Sequence, residues 1–277
     1  MRELRKEFSL NELLAFYDVP KSSYLHWEKT ADEDADAGLR EKVKRIFVDT
    51  GRIYGFRRII LALRKEGLTV NHKKVRRLMR EMDLVPRMQK AEKRYSSYKG
   101  TVGKVAKNVL KRKFDVKEPD TVWTSDVTEF KTGEGKVYLS PITDLCTGAI
   151  ISYMYSASPN MDMVMTMLRT AITAHPCIDG LVFHTDQGWQ YQHATFVNCL
   201  KANDIIQSMS RKGNCIDNCK METFFGHMKR EMYYGREFKT KQELFDAIDE
   251  YIRFYNEERI QAKLNGLSPV EFRKQAA

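Results

Sequence analysis

The 277-residue sequence has no run approaching 18 consecutive apolar residues, which argues against a transmembrane helix, and no membrane partner is expected. Its first stretch, MRELRKEFSLNELL, lacks the unbroken apolar core of a secretion signal, so the chain is expected to stay in the cytosol. Cysteine is scarce and odd in number, at five, which fits reduced thiols better than a disulfide framework. Cys215 and Cys219 stand four apart, but no second pair completes a zinc set, since His227 projects well away from them on the same helix. Acidic residues are nearly missing from one block: residues 51–113 hold 20 Lys or Arg against 4 Asp or Glu. Residues 1–50 hold 9 against 11, and residues 114–277 hold 18 against 22. The net charge of +10 is therefore one basic block between mildly acidic flanks. That density points to a polyanion, nucleic acid first, with a charge-rich solvated helical surface as the competing reading.

The basic half reads as helices. SLNELLAFYDVPKSSYLHWEK predicts one helix over Leu10 to Tyr17, a break at Asp18-Val19-Pro20, and a second helix from about Ser22. That is the grammar of a helix-turn-helix and equally of an ordinary helical hairpin. A helix from about Leu39 to Val48 follows the acidic connector ADEDADAG; another runs from Phe56 to a stop at Gly67, and Asn71 can cap the next. At about 100° per residue, Val75, Leu78, Met79 and Met82 share one side of that last helix. Lys73, Arg76, Arg77 and Arg80 cluster opposite, with no acid between Arg76 and Arg80, so this face is expected to contact DNA. Met88 to Lys113 reads as a basic tether able to follow a phosphate backbone.

From Thr121 the period changes. TVWTSDVTEF, KVYLSPITDL and AIISYMYSAS predict three sequential strands, a meander, with a turn around KTGEGK. A helix over MDMVMTMLRTAITAH, a strand at LVFHTD, a helix over HATFVNCLKAND, a strand at IIQSMS and two long helices beyond Gly213 complete an α/β layer fold with a mixed sheet. Asp126 falls inside the first strand, where aspartate is out of character, with Glu129 on the other face. Asp186 ends the fourth strand, where crevices are commonly built. Glu222 lies in DNCKMETFFGHMKRE on one helical stripe with Asn218, Phe225, Gly226 and Lys229. Buried carboxylates brought close together would repel unless a cation neutralised them, and magnesium prefers oxygen ligands.

Asp126, Asp186 and Glu222, the last two separated by 35 residues, match the D, D, 35-residue, E pattern of the retroviral-integrase superfamily. WTSDVTEF, HTDQGWQY, GNCIDNCKMETFF and YNEERIQAKLNGLSP resemble bacterial insertion-sequence transposases of the second-reading-frame (orfB) type. YGFRRIILALRKEGLTVNHKKVRRLMRE resembles the helix-turn-helix region ahead of their core. The likeness runs from about residue 9 to 273. Two departures, Gln261 where the family often has His and Cys219 where it often has Ala, touch no carboxylate.

The resemblance implies a fold and a chemistry. The fold is an RNase H-like mixed-sheet core (βββαβαβα) behind an N-terminal all-helical region. Its divisions are a DNA-binding region over 1–87, a basic linker over 88–117 and a catalytic core over 118–277. Asp126, Asp186 and Glu222 would bind two magnesium ions, with manganese as a substitute, for strand cleavage and strand transfer without a protein-DNA intermediate. Lys229, two turns beyond Glu222, resembles the superfamily's basic residue for a phosphate near the scissile one; a solvated lysine is the alternative. The implied partners are double-stranded DNA of the element ends and target, further copies of the chain on DNA, and an upstream-frame (orfA) product or its frameshift fusion, since no leucine heptad is visible here. The implied location is the bacterial cytoplasm, on the nucleoid when bound. A DNA-binding protein without catalysis and a stand-alone nuclease are the competing functions. Of the flanking residues, His184 reads as supporting the site or as structural, Asp144 ranks low, Asp217 reads as a helix N-terminal charge, and Trp189 and Tyr191 stack on bases or simply pack.

Overall fold

The computed structural model describes residues 4–30, 36–87, 105–211 and 215–276. Among the described residues, five α-helices precede the sheet: α1 (Leu10–Phe16), α2 (Lys21–Thr30), α3 (Ala37–Asp49), α4 (Phe56–Lys65) and α5 (His72–Glu81). Ser9 and Glu12 cap α1 reciprocally, and the Asn71 side chain accepts the Lys73 N–H at the start of α5. Gly67, at φ +80°, ends the α4 turn in a conformation that costs other residues strain. Val43 and Phe47 of α3, Ile59 and Leu63 of α4, and Val75 and Met79 of α5 form one core, which Ile260 from the far end of the chain also enters.

The sheet contains β1 (Val122–Ser125), β2 (Thr128–Thr132), β3 (Gly135–Asp144), β4 (Ile150–Ser156), β5 (Val182–Thr185) and β6 (Ile206–Met209). β1 and β2 correct the expectation of one unbroken strand. Both pair antiparallel with β3 in a single register, Ser125 opposite Ile142 and Thr128 opposite Leu139, and the ladder lapses only at Asp126 and Val127. The Asp126 carboxylate takes the Val127 N–H at 2.7 Å, so that donor is diverted from the ladder. The facing stretch of β3 holds Pro141, which has no N–H to offer. Treating β1 and β2 as one interrupted strand, the sheet order is third, second, first, fourth, fifth, with the last two parallel to the first. That is the RNase H-like mixed sheet.

Parity divides the sheet's two faces. Trp123, Ile142, Met154 and Phe183 pack under α6 (Met161–Ala174) and α8 (Ala194–Ala202). Phe130, Val137, Leu139 and Ile150 pack under α9 (Cys219–Met228) and α10 (Lys241–Glu257). Burying a large apolar side chain contributes about 1.5–3 kcal/mol, so a one-residue slip that exchanged these sets would be prohibitive. The short α7 (Trp189–Gln192) follows β5, and α11 (Pro269–Ala276) closes the chain.

Residues 88–104 of the expected tether lie outside the described residues. Residues 105–113 correct that reading. The Val109 and Leu110 N–H groups donate to Ser208 Oγ of β6, Leu110 is buried, and Asn108 and Arg112 bind Asp217. Apolar residues between the cations give this stretch a surface to bury, which its charge had obscured. Among the described residues no helix is long and apolar enough to cross a membrane.

Candidate active site

β1 and β5 run parallel with Ser125 beside Thr185. The next residue on each strand is an aspartate, so Asp126 and Asp186 stand side by side where two adjacent strands end. By the same parity that points Phe130 toward α9, Asp126 faces that helix. Asp126 Oδ1 accepts the Val127 N–H, and its Oδ2 accepts Asn218 Nδ2 at 3.0 Å. Burial pushes the Asp126 carboxyl well above the carboxylate range, and the charges of Asp186 and Glu222 add to that.

Asp186 Oδ1 accepts the Gly188 N–H at 2.8 Å, while burial raises its carboxyl too. Gly188 has a steric reason: a Cβ there would lie 2.9 Å from Asp186 Oδ1 and 3.3 Å from the Tyr191 ring. Glu222 enters on the first turn of α9, exposed, its carboxyl raised by partial burial. Among the described residues no three His, Cys, Asp or Glu side chains close to ion-holding distance. Two aspartates are thus fixed by backbone donors, and Glu222 is the open member.

Lys229 follows α9 at the start of a π-turn, Lys229–Tyr233, closed by the Tyr234 N–H on the Lys229 carbonyl at 2.7 Å. It is half-buried, with Nζ 5.1 Å from the Phe130 ring centre, so it is not a freely solvated lysine. Burial lowers its ammonium pKa, and Glu129 and Asp126 counteract that.

The neighbours expected from sequence sort differently. His184 is structural: it is buried, with Nδ1 2.9 Å from Ser208 Oγ and Nε2 3.0 Å from the Asp217 carbonyl oxygen. Asp217 is more than a helix-terminal charge, because it is buried and binds Asn108, Arg211 and Arg112, and the two guanidinium groups, Arg211 foremost, hold its carboxyl well below the usual range. Asp144 lies at the other end of β1, accepting the Asp120 and Thr147 N–H groups. Tyr191 cannot stack on bases: it is 1% exposed, its hydroxyl 3.1 Å from Ser125 Oγ. Trp189 is half-buried. Cys219 is a free, half-buried thiol, and the Cys215 side chain lies outside the described residues. Gln261 pairs through its backbone with Leu267, while its buried Nε2 has no partner among the described residues.

On α5, Lys73, Arg76, Arg77 and Arg80 are all exposed. Arg77, however, binds Asp36 and Glu81, and Lys74 shares Asp36. The face is therefore less uniformly cationic than its sequence, because Asp36 arrives from a different helix boundary. Arg76 lies over the Phe56 ring at 5.6 Å, with Arg57 at 5.5 Å from the same ring centre.

Sequence reasoning missed the role of Asn218. Its signal was the shared stripe with Glu222, which names a neighbour without naming a bond.

Comparison with known proteins shows the family of the chain. The integrase core domain family matches residues 116–215 and again 222–276, and an HTH-like domain family matches 33–92. InsK of Escherichia coli strain K12, named provisionally as the transposase of insertion sequence element IS150, is 44% identical over 276 residues, covering 99% of this chain and 97% of InsK. The chain belongs to the insertion-sequence transposases. Another relative of these transposases, that of element IS904 in Lactococcus lactis, is 32% identical over 85% of this chain and 93% of its own. An uncharacterized transposase-like protein of Haemophilus influenzae is 47% identical over 76% of this chain and 97% of its own. Among solved structures, the HTLV-2 integrase catalytic core domain in complex with magnesium gives a TM-score of 0.44 at 18% identity, covering 56% of this chain and 97% of that one. This transposase family member thus combines an integrase core with an HTH-like DNA-binding domain.

Proposed function

We propose that Asp126, Asp186 and Glu222 hold two divalent metal ions, magnesium or manganese in its place, and that the chain cleaves DNA at the ends of its element and transfers the strands. The observation that carries this reading is the pairing of Asp126 with Asp186 at the ends of two parallel strands, facing the helix of Glu222. The donor set fits hard cations: every candidate ligand is a carboxylate oxygen, and burial makes Asp126 and Asp186 costly to ionise together without a positive charge. When bound, such ions activate a water or a DNA 3′-hydroxyl and stabilise the oxygen that leaves in an in-line displacement.

The chain's own residues supply the rest. Val127 and Gly188 hold one oxygen of each aspartate by backbone N–H, which fixes the carboxylate planes. Glu222 completes the set from a helix, its exposure leaving room for DNA. Lys229, half-buried beside Phe130, presents a positive charge for a phosphate next to the scissile one. Lys73, Arg76, Arg77 and Arg80 of α5 contact duplex phosphates or groove edges, with Arg77 the most occupied by protein partners. The proposed divisions are a DNA-binding region over 1–87, a connection over 88–117 and a core over 118–277. The proposed partners are element-end and target DNA, further copies of the chain, and the product or fusion of an upstream frame.

The test uses a labelled duplex of the inverted repeat flanking the gene, incubated with the full chain and magnesium. Wild type cuts and joins, whereas Asp126→Asn, Asp186→Asn and Glu222→Gln each lose both activities and keep DNA binding in a mobility-shift assay. Wild-type cutting by any variant removes that residue from the site. DNA binding without cutting by the wild type would instead favour a regulator that has kept the fold.

A further inference from the structure

Asn218 stands at the N-cap of α9, where asparagine ordinarily accepts an N–H of the first helical turn. Its side chain makes no such bond. The amide nitrogen instead donates to Asp126 Oδ2 at 3.0 Å, across 92 residues of sequence. The amide oxygen is buried and has no partner among the described residues, although the residue is only 7% exposed. Both features work against folding: a cap is forgone, and a buried acceptor is left without a partner among the described residues. A side chain held in such a state is explained by what it touches, an aspartate of the site.

Resting on the metal-site reading above, we propose that Asn218 is a positioning residue of the active site. It ties the carboxylate at the break between β1 and β2 to the helix that delivers Glu222. Four residues apart on a helix, Asn218 and Glu222 lie on one face. One bond from Asn218 to Asp126 therefore sets how the helix stands over the strand ends, and so the separation of carboxylates that arrive from distant parts of the chain. The same planar amide puts its unpaired oxygen within a few ångströms of Asp126.

This role separates stability from function. Asn218→Ser offers a capping hydroxyl but cannot span to Asp126, and Asn218→Ala offers neither. Asn218→Gln keeps the donor on a longer arm. Binding of manganese ion to the full chain is titrated calorimetrically without DNA, thermal midpoints are taken without metal, and cleavage is timed at saturating labelled inverted-repeat duplex. The expected result for Ser and Ala is manganese affinity and kcat each lower by about 10- to 100-fold, the usual effect of removing a group that orients a ligand. DNA affinity should stay near wild type, the metal-free midpoint of Ser should equal or exceed it, and Gln should recover part of the loss. Ser and Ala variants that bind manganese and cut like wild type would overturn the inference. So would variants whose losses follow a lowered midpoint, since Asn218 would then serve the fold. A wild-type chain that neither binds manganese nor cuts would overturn the metal-site reading and this inference with it.

Discussion

Arg259 and Glu231 form a bidentate ion pair inside the protein, with Nε 2.8 Å from Oε2 and the second contact at 2.6 Å. Their side chains are 2% and 5% exposed. Glu231 also accepts the Tyr251 hydroxyl at 2.9 Å and lies 3.3 Å from Arg58 of α4. Tyr54 donates to the Glu258 carbonyl and accepts the Ile260 N–H beside it. One buried carboxylate, in the π-turn that begins with Lys229, thus joins the HTH-like helices to the core.

Removing one member of this pair leaves the other buried and unpaired. Glu231→Gln is expected to cost about 3–5 kcal/mol in urea unfolding. Replacing Glu231 and Arg259 together by Gln and Met should recover a large part of it. Equal losses in the single and double variants would show that the neighbours, and not the stranded charge, set the penalty.

For the DNA face, Lys73→Ala combined with Arg80→Ala should weaken duplex binding and flatten its salt dependence by about 0.9 per lost phosphate contact. Arg77→Ala should lower stability as well, because Arg77 binds Asp36 and Glu81. Titrations at several salt concentrations decide it. Unchanged slope and affinity would return Lys73 and Arg80 to the solvated surface.

Lys229→Ala is expected to slow cleavage and joining by roughly ten- to a thousandfold at saturating DNA and magnesium, the range for loss of a positioning or electrostatic contact. Manganese binding should survive. Lys229→Arg should retain part of the rate, since the charge stays while the geometry beside Phe130 changes. An Ala variant as fast as wild type would leave Lys229 only its packing role.

His227 gives a pH signature. Burial, then the charges of Arg259, Arg230 and Arg58 against that of Glu231, lower its imidazole to about 4. Its Nδ1 also accepts from Arg230 at 3.2 Å, a bond that protonation there would remove. The unfolded chain takes up this proton near 6.5, so the folded state loses stability as pH falls from 6.5 toward 4. His227→Gln should therefore show a smaller drop in thermal midpoint between pH 7 and pH 5. That window lies above the region where Glu231, whose carboxyl is lowered overall despite its burial, begins to cost stability in acid. Parallel midpoint curves for the two proteins would assign the acid loss elsewhere.

Local pattern sufficed where the cause was local. The spacing of Val75, Leu78 and Met79 predicted the buried side of α5, Asn71 its cap, and Gly67 the end of α4. Resemblance to the integrase pattern, and not a period, grouped the three carboxylates, while alternation along KVYLSPITDL and AIISYMYSAS predicted strands. The helices and strands depend on periods, which the order of residues alone determines. Contacts across the chain were a different matter. Asn218 reaches Asp126, Asp36 neutralises Arg77, Asp217 collects Arg112 and Arg211, and Arg259 meets Glu231, and neither composition nor period distinguishes these residues from solvated ones. The basic stretch 105–113 docked on β6 for the same reason: its charge was visible in sequence, whereas Ser208, its acceptor, lies about a hundred residues away. The sequence by itself determined which elements form and which side chains are chemically able. Only the tertiary structure decided which charges face one another, because electrostatic and hydrogen-bond energies depend on distance in space and on burial, and those are set when the sheet and its helices pack.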